Sequence, residues 1–269
     1  MNILVDIVII GDSDSGHNLL DTFAKQPARP KVAFISKKFK STTTNDYAHV
    51  QYFGQEVKYI SYRQRLFCCY LQNGDNIFST HLIIASGLEY APLMLNDKQV
   101  PCVFNTLDET PKHSKDQPAL VICNKDSDAK FAMEVAKKYK QVYLCTRAVE
   151  ITKVVNAATA KKLAKAENIA VLPNTSLLDT TTDRYGNLQK VVLDNYSEIT
   201  CAAIYAKTDS KPALEFVPKK IVAREANLPT VTENCESTLV PCCFVVGTCL
   251  PKYTKAMEQK MIDKILKDF

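Results

Sequence analysis

Two polar turns in the sequence stand where a phosphate-binding turn would stand, and their residues decide whether a phosphate can approach. The first turn (Gly11 to Gly16) follows an apolar strand and precedes a segment with helical periodicity. The second turn (Cys123 to Asp128) follows the apolar run Ala119 to Ile122 in the same way. In dinucleotide-binding strand-turn-helix units this turn is rich in glycine, because a side chain there keeps a pyrophosphate away from the backbone.

The first turn keeps part of this pattern. Gly11 and Gly16 occupy the first and third glycine positions, while Ser13 stands at the middle one, where backbone must touch pyrophosphate. Asp12 and Asp14 add two carboxylates, which a helix N-terminus stabilises and which repel a bound anion. We therefore predict a helix start capped by its own residues, and a vestigial site.

The second turn contains no glycine at all. Cys123, Lys125 and Asp128 occupy the three glycine positions, and Asp126 adds another negative charge. The whole chain has 7 glycines in 269 residues, whereas an average usage of about 7% would give roughly nineteen. This turn is also predicted to be a vestige that holds no phosphate.

The cysteines and histidines form no motif for a metal or for nucleophilic catalysis. Ten cysteines are scattered through apolar runs, where a free thiol packs as a small hydrophobe. No Cys-x-x-Cys pair and no Cys/His group with zinc spacing occurs. The isolated histidines are His17, His49, His81 and His113. We predict reduced thiols, structural histidines and no metal site, while an arrangement formed only by the fold stays open.

Composition is that of an ordinary soluble protein with a mildly basic surface. Apolar residues make up 46% and charged residues 23%, and the net charge is +5. No signal peptide and no apolar run of membrane-spanning length is present, so a cytoplasmic location is expected. Clustered lysines could contact an acidic partner such as RNA. The candidate contacts are Lys37, Lys38, Lys40, Lys219 and Lys220.

Apolar runs and turn residues predict the elements that carry these turns. Predicted strands are Ile3 to Ile10, Lys31 to Ser36, Glu56 to Ser61, Leu66 to Leu71, Ile77 to Ala85, Ala119 to Ile122, Val142 to Leu144, Ile169 to Leu172, Thr200 to Ala206 and Cys242 to Val246. Helices are predicted after each turn and over Ala157 to Glu167 and Thr254 to Leu266, with a hairpin over Leu178 to Leu193. Two strand-turn-helix-strand units predict two nucleotide-type domains.

Together these pieces resemble the low-molecular-weight thioredoxin reductase family, with its pyridine nucleotide-disulfide oxidoreductase fold, over nearly the whole chain. The stretch His81-Leu-Ile-Ile-Ala-Ser-Gly is similar to the family's strand ending in Ala-Thr-Gly. The segment from Ser237 to Cys249 is similar to its C-terminal Thr-x-x-Pro-Gly segment.

The resemblance implies an α/β fold with two Rossmann-like domains, shortened between Lys40 and Val57. A split FAD-binding-like domain would comprise residues 1–111 and 218–269, and an inserted NAD(P)-binding-like domain residues 112–217.

Residues that the family uses for its chemistry are missing from this chain. The redox Cys-x-x-Cys would fall at Thr106 to Glu109, where neither end is cysteine. Ser36 stands where an acidic residue would hold a ribose, and Thr248 where an aspartate would meet the flavin. Of the family's His-Arg-Arg only Arg147 is present.

These departures predict a pseudoenzyme with no catalytic residue and no bound cofactor. It would serve as a binding or assembly factor, through homodimerisation and docking on a large complex such as the ribosome. One alternative is a FAD-dependent oxidoreductase that still binds FAD through Gly11 and Gly16 and reduces something other than a disulfide. Another is a ligand sensor whose altered turns accept a different nucleotide.

Overall fold

The computed structural model describes residues 1–27, 30–37, 48–107 and 116–269, and its elements are numbered in chain order. The described elements before residue 108 are β1 (Asn2–Ile10), α1 (Asp14–Ala24), β2 (Val32–Ile35), β3 (Val50–Phe53), β4 (Val57–Arg63), β5 (Leu66–Leu71), β6 (Asn76–Ile84), β7 (Leu88–Tyr90), β8 (Met94–Leu95), β9 (Lys98–Gln99) and β10 (Val103–Phe104). Those after residue 115 are β11 (Ala119–Ile122), α2 (Asp126–Val135), β12 (Val142–Cys145), α3 (Ala157–Leu163), β13 (Ile169–Leu172), β14 (Leu177–Thr182), β15 (Leu188–Leu193), β16 (Glu198–Thr200), β17 (Ala203–Tyr205), β18 (Ser210–Pro212), β19 (Arg224–Glu225), β20 (Leu228–Pro229), β21 (Cys243–Val245) and α4 (Lys255–Leu266).

The chain folds into two units. Unit 1 comprises Met1–Glu89 and Ser210–Phe269, and unit 2 comprises Tyr90–Asp209. Both boundaries lie earlier than the predicted ones. The first lies earlier because β10 pairs with β17 and so belongs to the sheet of unit 2. The assignment of the units to FAD and to a nicotinamide nucleotide stays a prediction.

Unit 1 is built on a sheet in the order β3-β2-β1-β6-β5-β4, with β21 also paired to β6. Strand β1 is parallel to β2 and β6, and the β4–β5 hairpin adds an antiparallel edge. Ile7 and Ile9 on β1 are fully buried. Near-continuous apolar sequence is typical of parallel strands that are covered on both faces, and this confirms the strand predicted at Ile3 to Ile10.

Helix α1 places its first turn beside the end of β1. Leu19 and Phe23 are four residues apart and fully buried, so one face of the helix packs on the core. The helix ends at Ala24, shortly before Pro27, a residue that often follows a helix end.

Unit 2 contains a parallel sheet in the order β10-β17-β11-β12-β13 and an antiparallel sheet β14-β15-β16. Val121, Leu144 and Tyr205 from its central strands are buried. The alternation of strands and helices thus gives the predicted mixed α/β fold with Rossmann-type units. The predicted hairpin over Leu178 to Leu193 is present as β14 and β15.

Several elements differ from the prediction. Helix α3 ends at Leu163 rather than at Glu167. The strand predicted over Thr200 to Ala206 is divided between the last residue of β16 and the whole of β17. Strand β3 was not predicted. Lys38, Lys40 and His113 lie outside the described residues. In the described part of the chain, no helix is both long enough and apolar enough to span a membrane.

Candidate functional site

The two glycines of the first turn are held in close backbone contact. Gly11 has φ of +111°, and a Cβ there would lie 2.3 Å from the carbonyl oxygen of Ala85 at the end of β6. A Cβ on Gly16 would lie 2.4 Å from the carbonyl oxygen of Gly11. Neither position has room for a side chain, so the turn needs glycine at both points to pack against the end of β6 and on itself. These are the roles of the first and third glycines in a dinucleotide-binding turn, which form the tight turn and the close packing of helix on strand.

The start of α1 is capped by Ser13. Its hydroxyl oxygen accepts a hydrogen bond from the amide of Gly16 at 3.2 Å, in the usual manner of an N-cap. Asp12 and Asp14, which were expected to provide this capping, are exposed instead. The Gly16 amide is thus bound by a neutral hydroxyl and not by a carboxylate.

A cavity of about 720 Å³ lies next to the first turn, entirely within unit 1. It extends along Gly11, Ser36 and Lys37, where β1 and β2 end, and reaches Leu88 and Phe216. Its volume falls within the range of about 300–1,000 Å³ found for small-molecule and cofactor sites. Ligands of open α/β sheets bind at the carboxyl ends of the strands, which is where this cavity is placed.

Charged groups around the cavity are largely paired. Lys37 Nζ lies 3.3 Å from Glu56 Oε2, and Lys211 Nζ lies 3.5 Å from Glu89. Lys211 also binds Glu215, and this hydrogen bond lowers the pKa of the Glu215 carboxyl. Since these ion pairs are exposed, they contribute little to the stability of the fold. They do reduce the negative charge that an anionic ligand would meet.

The C-terminal segment of unit 1 comes back to the first turn. A Cβ on Gly247, whose φ is +70°, would lie 2.9 Å from Ser15 Oγ. Thr248 Oγ1 lies 3.6 Å from the corresponding position on Gly87. Cys249 Sγ donates to the Gly87 carbonyl at 3.1 Å, and burial raises the pKa of this thiol. The two segments that carry the resemblance are therefore in contact.

The second turn is arranged differently. Asp128 is 2% exposed, and its Oδ2 accepts hydrogen bonds from the amides of Asn124 at 3.0 Å and of Lys125 at 3.2 Å. The chain's own carboxylate thus occupies the backbone amides that would otherwise bind a phosphate. The sequence contains a signal for this contact. An acidic residue at the third position of a helix often accepts a hydrogen bond from the backbone amide at the helix start.

The other acidic residue of the second turn lies on its surface. Asp126 is bound by Lys130 Nζ at 2.7 Å and accepts a hydrogen bond from the Asn156 amide at 3.0 Å. The hydrogen bond from Lys130, followed by that of Asn156, lowers the pKa of Asp126 to about 2. Burial raises the pKa of Cys123 to about 11, so this thiol stays protonated.

Arg147 lines a smaller cavity of about 220 Å³ in unit 2, together with Asn124 and Thr146. This cavity lies beside the second turn, at the carboxyl ends of β11 and β12. The cavity leaves space beside the second turn, next to Asn124.

The cysteines show no dithiol of the expected kind. All ten are free, and eight of them are buried. Thr106 and Leu107 are the described residues of the expected Cys-x-x-Cys position, whereas 108–109 lie outside the described part. Nearby Cys102 donates from Sγ to the Gly186 carbonyl at 3.3 Å.

Three of the candidate lysines fall within the described residues. Lys37, Lys219 and Lys220 are exposed, and Lys37 is paired with Glu56 as above. Their contact with an acidic partner stays a prediction.

The described elements form an α/β fold of the Rossmann type, and solved structures share this fold. Thioredoxin reductase from Lactococcus lactis in its FR conformation has a TM-score of 0.69 at 16% identity, covering 98% of this chain and 100% of that chain. The T. acidophilum thioredoxin reductase has a TM-score of 0.67 at 15% identity, over 97% and 95%. That of Streptococcus pyogenes MGAS5005 has a TM-score of 0.59 at 14% identity, over the whole of both chains.

The family is settled by the sequence itself. Residues 22–247 match the model of the pyridine nucleotide-disulphide oxidoreductase family, and the chain belongs to that family. A comparison with curated proteins finds no match. The predicted resemblance and the predicted fold class are both confirmed.

Membership of this family overturns two predictions. The chain was expected not to be an enzyme and to bind no cofactor, and both expectations are wrong for a member of an oxidoreductase family with the fold of thioredoxin reductases. Both had rested on several departures from the family pattern, among them the first-turn side chains of Asp12, Ser13 and Asp14, the glycine-free second turn and the missing Cys-x-x-Cys pair. The first of these departures is a poor guide, because Asp12 and Asp14 are exposed and the tight turn keeps its two glycines.

Proposed function

We propose that this chain is a FAD-dependent oxidoreductase that binds the flavin in unit 1 and works without a Cys-x-x-Cys pair of its own. The observation that carries the proposal is the first turn, where Gly11 and Gly16 keep the tight strand-turn-helix packing of a dinucleotide-binding unit beside a cavity of about 720 Å³. The family and the fold support the same class of chemistry.

The residues around this cavity fit the parts of a dinucleotide. The amides of Asp14 and Ser15, at the start of α1, have no carbonyl one turn earlier to bind and would face the pyrophosphate. Lys37, at the end of β2, contributes a cation to the cavity wall. Leu88 and Phe216 supply apolar surface, which favours burial of a ring system and exclusion of water.

A bound flavin supplies hydride and electron transfer, and the protein holds and orients it. In this chain the expected dithiol positions begin with Thr106, so electrons have no internal cysteine pair of that spacing to reach. A substrate other than a disulfide would then have to meet the cofactor directly.

The second turn bears on the electron donor. Asp128 already binds the two amides that would hold a donor's phosphate, so a pyridine nucleotide would be held weakly there. Arg147, on the wall of the adjacent cavity, is the cation left to bind it.

The test is the flavin content of the purified protein and of two matched variants. Ser13→Asn and Ser13→Asp both keep an oxygen that caps α1, but only the aspartate places a charge beside the pyrophosphate. Repulsion of about 1–4 kcal/mol is expected for unit charges about 4 Å apart, which weakens binding by about fivefold to several hundredfold. The visible absorption spectrum and titration with FAD measure this.

We expect flavin near one per chain in the wild type and in Ser13→Asn, and much less in Ser13→Asp. A wild-type protein that is folded, colourless and unable to take up added FAD would contradict the proposal. Equal FAD affinity in the two variants would show that the ligand does not use the first turn.

The partners and the cellular location are separate proposals, and the cavity does not bear on them. A homodimer rests on the resemblance alone, and a ribonucleoprotein such as the ribosome rests only on the mildly basic charge and on exposed lysines such as Lys219 and Lys220. A cytoplasmic address rests on the sequence. Sedimentation of the pure protein and its co-purification from native cells test the first two.

A further inference from the structure

Three side chains of unit 1 converge at a place that the proposed function does not use. His81 lies on β6, Cys242 immediately precedes β21, and Asp268 follows α4. The Nδ1 or Nε2 of the imidazole, the thiol sulfur and a carboxylate oxygen lie within 4.8 Å of one another. His81 is 4% exposed, whereas the Asp268 side chain is 53% exposed, so the cluster reaches from the core to the surface.

The fold brings these residues together through two contacts. The Leu82 amide donates to the Cys242 carbonyl at 2.9 Å, which joins the start of β21 to β6 beside His81. Helix α4 buries Met261 and Ile265 against the same core, so the residues after its end lie beside the imidazole. Cys242 itself has φ of +60° and its amide donates to a Glu236 carboxylate oxygen at 2.8 Å, which fixes the thiol's position.

The hydrogen bonds of His81 define which nitrogen faces the cluster. Thr80 Oγ1 donates its single proton to the Asp6 carbonyl at 3.0 Å, so towards His81 Nδ1, also at 3.0 Å, it can only accept. With the Thr80 proton on the Asp6 carbonyl, the proton of a neutral imidazole lies on Nδ1. The lone pair of Nε2 then faces Asp268 Oδ2 at 2.9 Å.

Two acceptor atoms at that distance repel each other unless a cation lies between or beside them. An extra proton on the imidazole is one such cation, and a metal ion is the other. The Cys242 thiol in the same cluster favours the metal ion over the extra proton. A pair of imidazolium and carboxylate needs no third group, whereas a metal ion can use the thiolate as a further ligand.

We propose that His81 Nε2, Cys242 Sγ and an Asp268 carboxylate oxygen bind one divalent transition-metal ion of the Zn²⁺ class. Imidazole, thiolate and carboxylate are the ligands zinc takes, and a thiolate disfavours Mg²⁺ and Ca²⁺. Tetrahedral zinc needs ligand atoms roughly 3.3–3.7 Å apart, from bond lengths of about 2.0–2.3 Å. Small side-chain movements within the present 4.8 Å reach this, and the exposed side of the cluster leaves a fourth position for water.

Thr80 then acts as a positioning residue, since it holds the imidazole in the tautomer that offers Nε2 to the metal. The cluster lies three residues before the end of β6, roughly 10 Å along the strand at about 3.3 Å per residue. It is thus apart from the first turn, where β6 ends near Ala85.

The experiment loads chelator-treated full-length protein with ZnCl₂ and, separately, with CoCl₂. We expect one ion per chain by mass spectrometry and, with cobalt, an absorption band from thiolate-to-metal charge transfer. Cys242→Ser should abolish the band, and Asp268→Asn should weaken binding. Thr80→Ala, at an exposed position, should weaken it about 10–100-fold, the usual effect of an outer-sphere partner.

Matched controls are Cys102→Ser, another partly exposed cysteine, and Asp263→Asn, an exposed carboxylate on α4. Both should bind as the wild type does. The proposal is overturned if zinc binds no better to wild type than to Cys242→Ser, or if cobalt binds without a thiolate band. Either result would show that the Cys242 thiol is not a ligand of the metal ion. Flavin content is measured on the same samples and is independent of both outcomes.

Discussion

At the scale of single residues, the second turn illustrates how a side chain can stand in for a ligand. Asp128 is buried and accepts hydrogen bonds from two backbone amides. Its carboxylate thus supplies the negative charge that a phosphate would otherwise bring. Removal of the carboxylate leaves two amides of a partly buried turn without partners. A buried donor left unsatisfied costs about 1–3 kcal/mol.

Asp128→Ala is therefore expected to lower the free energy of unfolding by about 1–3 kcal/mol. Asp128→Asn keeps one oxygen that can accept the same hydrogen bonds and should lose less. Urea unfolding followed by circular dichroism measures both variants against wild type. Equal stability of Asp128→Ala and wild type would mean that water replaces the carboxylate without cost.

Residue types alone revealed only part of the sites. Gly11 and Gly16 could be singled out because glycine has a position-specific role in such turns. The cluster of His81, Cys242 and Asp268 could not, because 161 and 26 sequence positions separate its members (81 to 242 to 268). Only the pairing of β21 with β6 and the docking of α4 bring them together.

At the scale of elements, the close contact between the start of α1 and the residue after β1 depends on a glycine, Gly16. Within a helix, alanine is normally more favourable than glycine by about 1 kcal/mol. Gly16 is an exception, because its Cβ would lie 2.4 Å from the Gly11 carbonyl oxygen and backbone would have to move.

Gly16→Ala is expected to destabilise the protein by about 1–3 kcal/mol, the usual cost of overpacking, and to reduce FAD uptake. Gly54→Ala is the matched control, since a Cβ at Gly54 meets nothing within 4 Å. Urea midpoints together with flavin absorbance compare the two variants. A Gly16→Ala protein as stable as Gly54→Ala would show that the turn can relax.

The elements themselves could largely be predicted from the sequence. The predicted strand Leu66 to Leu71 coincides with β5, and Ile169 to Leu172 coincides with β13, because each apolar run is bounded by polar residues. Strand β3 (Val50–Phe53) was missed because the polar Gln51 interrupts its apolar residues, and its pairing with β2 rather than its own pattern makes it a strand. Tertiary pairing of this kind leaves little trace in local sequence.

At the scale of the whole molecule, the two units give cofactor binding a measurable signature. Unit 1 has 149 residues (89 from Met1–Glu89 and 60 from Ser210–Phe269) and contains the whole of the larger cavity. A ligand that binds only the folded form stabilises it by about 2.7 kcal/mol at one hundred times its Kd.

Added FAD at that level should therefore raise the Tm of unit 1 by about 5–10 °C, at about 2–4 °C per kcal/mol for a unit of this size. Differential scanning calorimetry with and without FAD measures the shift. The transition of unit 2 should stay unchanged if the two units melt separately, and Ser13→Asp should remove most of the shift. A shift of equal size in Ser13→Asp would argue against binding at the first turn.

The interruption of unit 1 by unit 2 also has a consequence for how the protein is made. During synthesis, the edge of β6 from Leu82 to Ile84 must wait for β21, and Gly247 is not yet available to pack on Ser15. The 120 residues of unit 2 (90 to 209) come in between. At about 5–20 residues per second their translation takes roughly 6–24 s. A nascent chain thus carries an unfinished first unit while the second one can already fold, and this exposed strand edge is where a chaperone would be needed.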